Sequence, residues 1–312
     1  MGERCALFLM GPTATGKTDL ALAIADEFPV ALINADSAQV YRGMDVGTAK
    51  PSPEVRARYP HALMDFRDPA EPFSAGGYAR AARREAEACL ARGRVPLLVG
   101  GTGLYFRAFA EGLAELPTAD RELRDRLRGE AEREGWAALH ERLRRLDPQA
   151  AARIHPRDGQ RVLRALEVCE ATGRPLSELQ QEEGLPPADF PILRLALWLP
   201  RKELWRRIEA RFRAMLEQGL EEEVRALVEA GVDPDSPALR SVGYRQVREC
   251  LEGRRSREEL LEAGVVATRR LAKRQLTWLR REPGVEWYRP EEREAVLERV
   301  REFLRPLGWT GR

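Results

Sequence analysis

Apolar residues along this chain are grouped in two ways, as short unbroken runs and as stripes at helical spacing. Ala6 to Met10 (ALFLM), Val30 to Ile33 (VALI) and Val95 to Val99 (VPLLV) are continuous runs with no polar alternation. A strand buried on one face alternates, whereas a strand buried on both faces does not. These runs therefore predict a parallel sheet covered by helices on each side. The segments between them favour helix: DLALAIADEF follows the first run, and YARAARREAEACLAR spans 78–92. The second run ends at Asn34-Ala35-Asp36 and the third at Gly100-Gly101.

Past Pro117 the pattern changes. Residues 118–186 carry almost no strand signal; RELRDRLRGEAEREGWAALHERLRRL and DGQRVLRALEVCEAT read as charged amphipathic helices, and Pro186-Pro187 closes the stretch. Strand character returns at Leu193 to Leu199. One long helix is predicted over Lys202 to Ala230, then a turn (GVDPDSP), more helix, a last strand at Val285 to Tyr288 and a final helix. No repeat or low-complexity tract interrupts this order.

The first turn carries chemistry. Gly11-Pro12-Thr13-Ala14-Thr15-Gly16-Lys17-Thr18 fits G-x-x-x-x-G-K-[ST] and lies between a predicted strand and a predicted helix, the context that motif requires. Its glycines let backbone N–H groups converge on phosphate oxygens, and the helix N-terminus adds a positive dipole. Lys17 supplies a point charge to the terminal phosphates, and the Thr18 hydroxyl can ligate Mg²⁺. The expected fold is α/β, a P-loop NTPase-like parallel sheet flanked by helices. Residues 1–117 and 187–312 would form this core, interrupted by an all-helical insertion at 118–186. The loop alone does not say which phosphate ester binds. A kinase or ATPase would place an Asp at the end of another core strand; here the third run ends in glycines, and Asp65 in ALMDF is the nearest carboxylate.

Composition narrows the class. Lys+Arg number 52 against 50 Asp+Glu, for a net charge of +2 over 312 residues; four of the cations are lysine and 48 are arginine. No apolar run reaches the ~18 residues of a membrane span. The first residues lack a signal peptide's basic region and cleavage site. Cys5, Cys89, Cys169 and Cys250 stand far apart, which argues against a zinc ribbon or a disulfide framework. A reduced, cytoplasmic protein is expected. Near-neutral charge conceals local asymmetry: residues 267–281 hold six cations and no acid, and Arg157, Gln160, Arg161 and Arg164 share one helical face. By contrast, residues 118–186 as a whole carry 13 arginines against 14 acids. His61, His140 and His155 lie in separate segments and form no ligand cluster.

Ligands of open parallel sheets sit beyond the strand C-termini. Two segments arrive there, Asp36-Ser37-Ala38-Gln39-Val40-Tyr41 and Gly100-Gly101-Thr102-Gly103. On the residues alone, Asp36 is either a general base beside the phosphate loop or a helix N-cap. Thr102 is either a reacting-group contact or an incidental hydroxyl in a tight turn.

GPTATGKT, DSAQVY and GGTGLY, in this order and spacing, resemble the tRNA dimethylallyltransferases. MDVGTAKP (44–51), HPRDGQRVLRALEV (155–168), RSVGYRQ (240–246) and AKRQLTWLR (272–280) agree with that family, so the likeness runs from about residue 8 to about residue 290. One departure is His61-Ala62, where the family usually has two adjacent histidines.

The resemblance implies transfer of a dimethylallyl group from dimethylallyl diphosphate to N6 of the adenosine 3′-adjacent to the anticodon, position 37 of tRNA, with Mg²⁺ as cofactor. It makes Gly11 to Thr18 the donor site with Thr18 on the metal, Asp36 the base, and Thr102 a contact to the reacting nucleotide. Arg211, in preference to Arg213, would reach the diphosphate. It assigns tRNA contacts to Asp36, Ser37, Ala38, Gln39, Thr102, Arg124, Gln160, Arg161 and Arg164. Further contacts fall on Arg240, Gly243, Tyr244, Arg245, Lys273, Arg274, Gln275, Trp278 and Arg280, with Tyr244 and Trp278 available to stack on bases. The anticodon stem-loop would thread between core and insertion, because chemistry on a stacked base requires pulling it out. A monomer is expected. Two other readings stay open at this point: a prenyltransferase acting on free adenine nucleotides, and a small-molecule kinase.

Overall fold

A computed structural model of the chain describes residues 2–114, 116–117, 120–182 and 184–310. The chain divides into two compact units, Met1–Ala110 with Ala188–Arg312, and Glu111–Pro187.

The chain order opens β1 (Ala6–Met10), α1 (Lys17–Glu27), β2 (Val30–Asn34), α2 (Pro53–Arg58), β3 (His61–Ala62), α3 (Ala75–Ala91), β4 (Val95–Gly100) and α4 (Gly103–Glu111). The second unit holds α5 (Arg121–Glu134), α6 (Trp136–Leu146), α7 (Pro148–Arg153), α8 (Gly159–Thr172) and α9 (Leu176–Leu179). The first unit resumes with β5 (Ile192–Leu197), α10 (Arg201–Glu217), α11 (Leu220–Glu229), α12 (Tyr244–Leu251), α13 (Arg257–Leu279), β6 (Val285–Tyr288) and α14 (Arg293–Leu304).

Among the described residues the first unit contains one six-stranded sheet, ordered β3-β2-β4-β1-β5-β6, with every pairing parallel. The unbroken apolar runs have the reason anticipated for them. Within β1, Ala6, Phe8 and Met10 enter one core while Leu7 and Leu9 enter another. Successive side chains of a strand point to opposite faces, so a strand covered on both must be apolar throughout. Leu20 and Ile24 of α1 and Val296, Leu297 and Val300 of α14 belong to the second core; α3, α4 and α10 to α13 supply the first. The two-residue β3 leaves no periodic signal and was not anticipated.

The helix expected over Lys202 to Ala230 is two helices. Gly219 takes φ 97°, a left-handed conformation that ends α10 and starts α11.

The second unit is helical, around Leu127, Leu139, Leu143, Val162 and Leu166. Its ends meet: Leu113 and Leu185 exchange backbone hydrogen bonds of 3.2 and 2.9 Å. Gly112 permits that approach, because a Cβ there would lie 1.8 Å from the Leu185 carbonyl oxygen. This pairing explains why the unit starts at Glu111, ahead of the expected boundary; Thr118, where that boundary was set, lies outside the described residues. Inside the unit, His140 Nε2 lies 3.1 and 2.9 Å from the carbonyls of Ala151 and Ile154, a structural role. Among the described residues, no helix is long and apolar enough to cross a membrane.

Candidate functional site

β1 ends where the phosphate loop begins. Gly11 sits at φ 150° against β5; a Cβ there would lie 2.8 Å from the Leu197 carbonyl oxygen. Ala14 and Gly16 also take positive φ, 67° and 84°. The buried Thr15 hydroxyl donates to the Pro12 carbonyl at 2.8 Å and holds the turn. α1 then starts with no side-chain cap at Gly16, leaving its first N–H groups to be met by an anion. Lys17 Nζ donates to the carbonyls of Gly11 and Pro12, each at 2.8 Å. Burial pushes its pKa down to about 8; Asp36 opposes that shift and Arg211 adds to it, which locates all three side chains in one electrostatic cluster.

β2 delivers Asp36. The chain's single asparagine, Asn34, is buried at the strand end and wires the turn: its Nδ2 donates to the carbonyls of Asp36 (3.0 Å) and Leu63 (3.1 Å), and its Oδ1 accepts from the Asp36 N–H (3.0 Å). Asp36 Oδ1 accepts from the Ala38 N–H at 2.9 Å, leaving the other oxygen without a protein partner among the described residues. β4 delivers Thr102 to the same place. Its hydroxyl accepts from the Ser37 N–H at 2.9 Å and lies 3.2 Å from the Ser37 hydroxyl, to which it donates. The N-cap alternative for Asp36 fails, since no helix starts there.

α10 supplies the second cation. Arg211 faces inward and reaches the Thr48 carbonyl at 3.5 Å; its Nε is buried without a hydrogen-bond partner among the described residues, and burial lowers its pKa while Asp36 raises it. Arg213 is exposed and pairs with Glu209, so of the two arginines only Arg211 is turned toward Lys17 and Asp36. Thr48 is itself held. Glu223 of α11 accepts from the N–H groups of Asp45 and Val46 at 2.7 Å and of Gly47 at 2.9 Å. The Thr48 carbonyl also accepts from Gln39 Nε2 at 3.0 Å. Nothing in the sequence pattern pointed to Glu223.

Several anticipated residues stand elsewhere than expected. Tyr244 is fully buried, with its hydroxyl donating to Glu223 at 2.5 Å and its ring against Gly47, so it has no face to offer a base. Trp278 packs over Gly103 and stacks on Phe106, with ring centroids 6.3 Å apart. Gln275 spends both amide atoms inside the site: Oε1 accepts from the Thr13 N–H and Nε2 donates to the Gly101 carbonyl, each at 3.0 Å. Asp65 is taken by Lys50 and Arg56, so it is not free for a metal. Among the described residues no group of three or more His, Cys, Asp or Glu side chains could hold a metal ion.

Ser37, Arg240, Arg245, Lys273, Arg274 and Arg280 are exposed, and Gly243, at φ 93°, caps α12. In the helical unit Gln160 and Arg161 are exposed on the first turn of α8. Arg124 and Arg164 instead converge on the buried Glu167, and Arg164 also donates to the Pro117 carbonyl at 2.8 Å.

Comparison with known proteins agrees over nearly the full length. A family model described as IPP transferase matches residues 39–282, and one described as isopentenyl transferase matches residues 5–58. The chain is 56% identical to a tRNA dimethylallyltransferase of Alkalilimnicola ehrlichii, covering 97% of this chain and 96% of that one. It is 47% identical to tRNA dimethylallyltransferase 2 of Hahella chejuensis, with 95% and 94% covered. The crystal structure of the full-length tRNA isopentenylpyrophosphate transferase from Bacillus halodurans superposes with TM-score 0.71 at 34% identity, 97% of each chain covered. A eukaryotic dimethylallyltransferase acting on tRNA shares the fold at TM-score 0.79 and 24% identity, with 98% of this chain and 81% of that one covered.

Proposed function

Because this chain belongs to the IPP transferase family, we propose that it joins the dimethylallyl group of dimethylallyl diphosphate to N6 of the adenosine 3′-adjacent to the anticodon. It is an enzyme of that family, a dimethylallyltransferase with tRNA as acceptor. The observation that carries the finer reading is the convergence of Lys17, Arg211 and Asp36, in which the carboxylate acts on both cations and Arg211 acts on Lys17.

Each has a task in the transfer. An exocyclic adenine amine is a weak nucleophile, since its lone pair is delocalised into the ring. As N6 attacks C1 of the donor, the C1–O bond breaks, charge grows on the departing diphosphate, and a proton must leave N6. The α1 N–H groups, Lys17 and Arg211 stabilise that growing charge. Asp36, with one oxygen tied to Ala38 and the other open, takes the proton. Thr102, tied to Ser37 beside it, fixes the acceptor segment. Thr18, exposed on the first turn of α1, is the residue that would hold Mg²⁺. The remaining ligands would be diphosphate oxygens and waters, which suits an ion that seldom takes an all-protein cage; it would neutralise leaving-group charge. A cytoplasmic location and a monomeric enzyme belong to the same proposed reading.

The test is mass spectrometry of an anticodon stem-loop incubated with the protein, Mg²⁺ and dimethylallyl diphosphate. Gain of one C5H8 unit on the adenosine is expected. No gain, or a requirement for ATP, overturns the reading.

A further inference from the structure

Helix α10 carries a second surface, separate from Arg211. Lys202, Trp205, Arg206, Glu209 and Arg213 fall at i, i+3, i+4, i+7 and i+11, one stripe of the helix. With Arg269 of α13 they line an open groove of about 520 Å³. The stripe made by Leu204, Ile208, Phe212 and Met215 is the one packed into the core; on the groove stripe Lys202, Arg206 and Arg213 are exposed, and Trp205 is partly buried against that core. At 1.5 Å per residue it runs about 16 Å.

Its charge is unlike that of the chain at large. Cations and acids are nearly balanced overall, 52 to 50, whereas the groove sets four cations against Glu209 alone. Glu209 pairs with Arg269 at 3.2 Å and Arg213 at 3.8 Å. Among the described residues, Lys202 and Arg206 have no acidic partner within 4.0 Å. Beside them Arg201 and Arg269 lie 5.4 and 5.9 Å from the centroid of the Trp205 ring. Two unpaired cations, Lys202 and Arg206, lining one groove with an aromatic ring match a single nucleic-acid strand, phosphates on the charges and a base on the ring. An open groove of this length is poorly suited to a small anion, which needs enclosing donors. α13 runs from the groove toward the site: Arg269 precedes Gln275 by six residues, about 9 Å along the helix, whereas Arg213 and Arg211, two residues apart on α10, face away from each other.

We propose that this groove holds the tRNA strand flanking the reacting nucleotide, with phosphates on Lys202, Arg206 and Arg213 and one base against Trp205. The proposal rests on the tRNA reading above. Arg206→Glu should weaken binding of full-length tRNA about tenfold and reduce the slope of log K against log salt by about one. The donor KM should be unchanged. Arg225→Glu, the same charge reversal at an exposed position of α11, should shift neither. Trp205→Ala should weaken binding about tenfold with the salt slope kept, because stacking releases no counterions. The proposal is overturned if Arg206→Glu behaves as Arg225→Glu does, or if it raises the donor KM while tRNA binding holds. Failure of the wild-type protein to transfer at all would instead remove the reading on which it rests.

Discussion

Gln275 of α13 accepts a hydrogen bond from the N–H of Thr13, 262 positions away in the chain, at 3.0 Å. Its other amide atom donates to the Gly101 carbonyl, so one side chain ties the phosphate loop to the turn that carries Thr102. The basic helix is thereby fastened to the turns that follow β1 and β4. Two net hydrogen bonds of about 1 kcal/mol each are at stake. Gln275→Ala should raise the donor KM about tenfold, read from steady-state kinetics, with tRNA affinity within about twofold of wild type. Loss of tRNA affinity with an unaltered donor KM would assign Gln275 to the RNA instead.

Asp36→Ala should lower kcat by about 10²-fold or more, the range for loss of a general base. Binding of tRNA, measured by anisotropy, should be kept. Turnover retained in this variant would remove Asp36 from the proton transfer.

Lys17 is held down to about pKa 8, first by burial, with Asp36 opposing and Arg211 assisting. The diphosphate needs the protonated form. In the free enzyme, kcat/KM for the donor should therefore fall as pH rises through about 8, approaching tenfold per unit above it. Lys17→Arg stays charged there, so its profile should lack this limb even where its absolute activity is lower. For stability the sign is the reverse. The unfolded chain binds the Lys17 proton more tightly, near 10.5, so the cost of burying the charge is present in full below about pH 8 and is relieved between about 8 and 10.5. A limb that persists unchanged in Lys17→Arg would have to be assigned to another group.

Asn34 makes three hydrogen bonds from a buried position, two to carbonyls and one from the Asp36 N–H. Asn34→Ala leaves those groups without partners and should cost about 2–3 kcal/mol in urea denaturation. It should also lower kcat, because Asp36 loses its backbone anchor. Asn34→Asp should be worse at neutral pH, since a carboxylate would face the carbonyls of Asp36 and Leu63. A variant as stable and as active as wild type would show that the turn holds without this side chain.

Much of the architecture was legible in the chain itself. Apolar runs without alternation announced β1, β2 and β4, since burial on both faces removes the polar positions. The glycine and lysine spacing of residues 11–18 announced a phosphate loop, because both the backbone turn and the helix start are local. The three strand-end motifs resembled a known family, and the comparisons extend that likeness over nearly the whole chain.

What tertiary structure decided lies where contact depends on distant segments. β3 is two residues long and exists only as an edge to β2. The helix expected over 202–230 breaks at Gly219, whose left-handed φ is a property of the packed turn. Arg211 and Arg213 are indistinguishable by composition, and only the packing of α10 turns one inward and one to solvent. Tyr244 beside arginines resembled a base-stacking residue and is instead sealed under Gly47. Glu223 gave no local sign of its hold on Asp45, Val46 and Gly47. Periodicity records which side of an element is buried, but not what buries it; that is settled when segments hundreds of residues apart compete for the same polar and apolar partners.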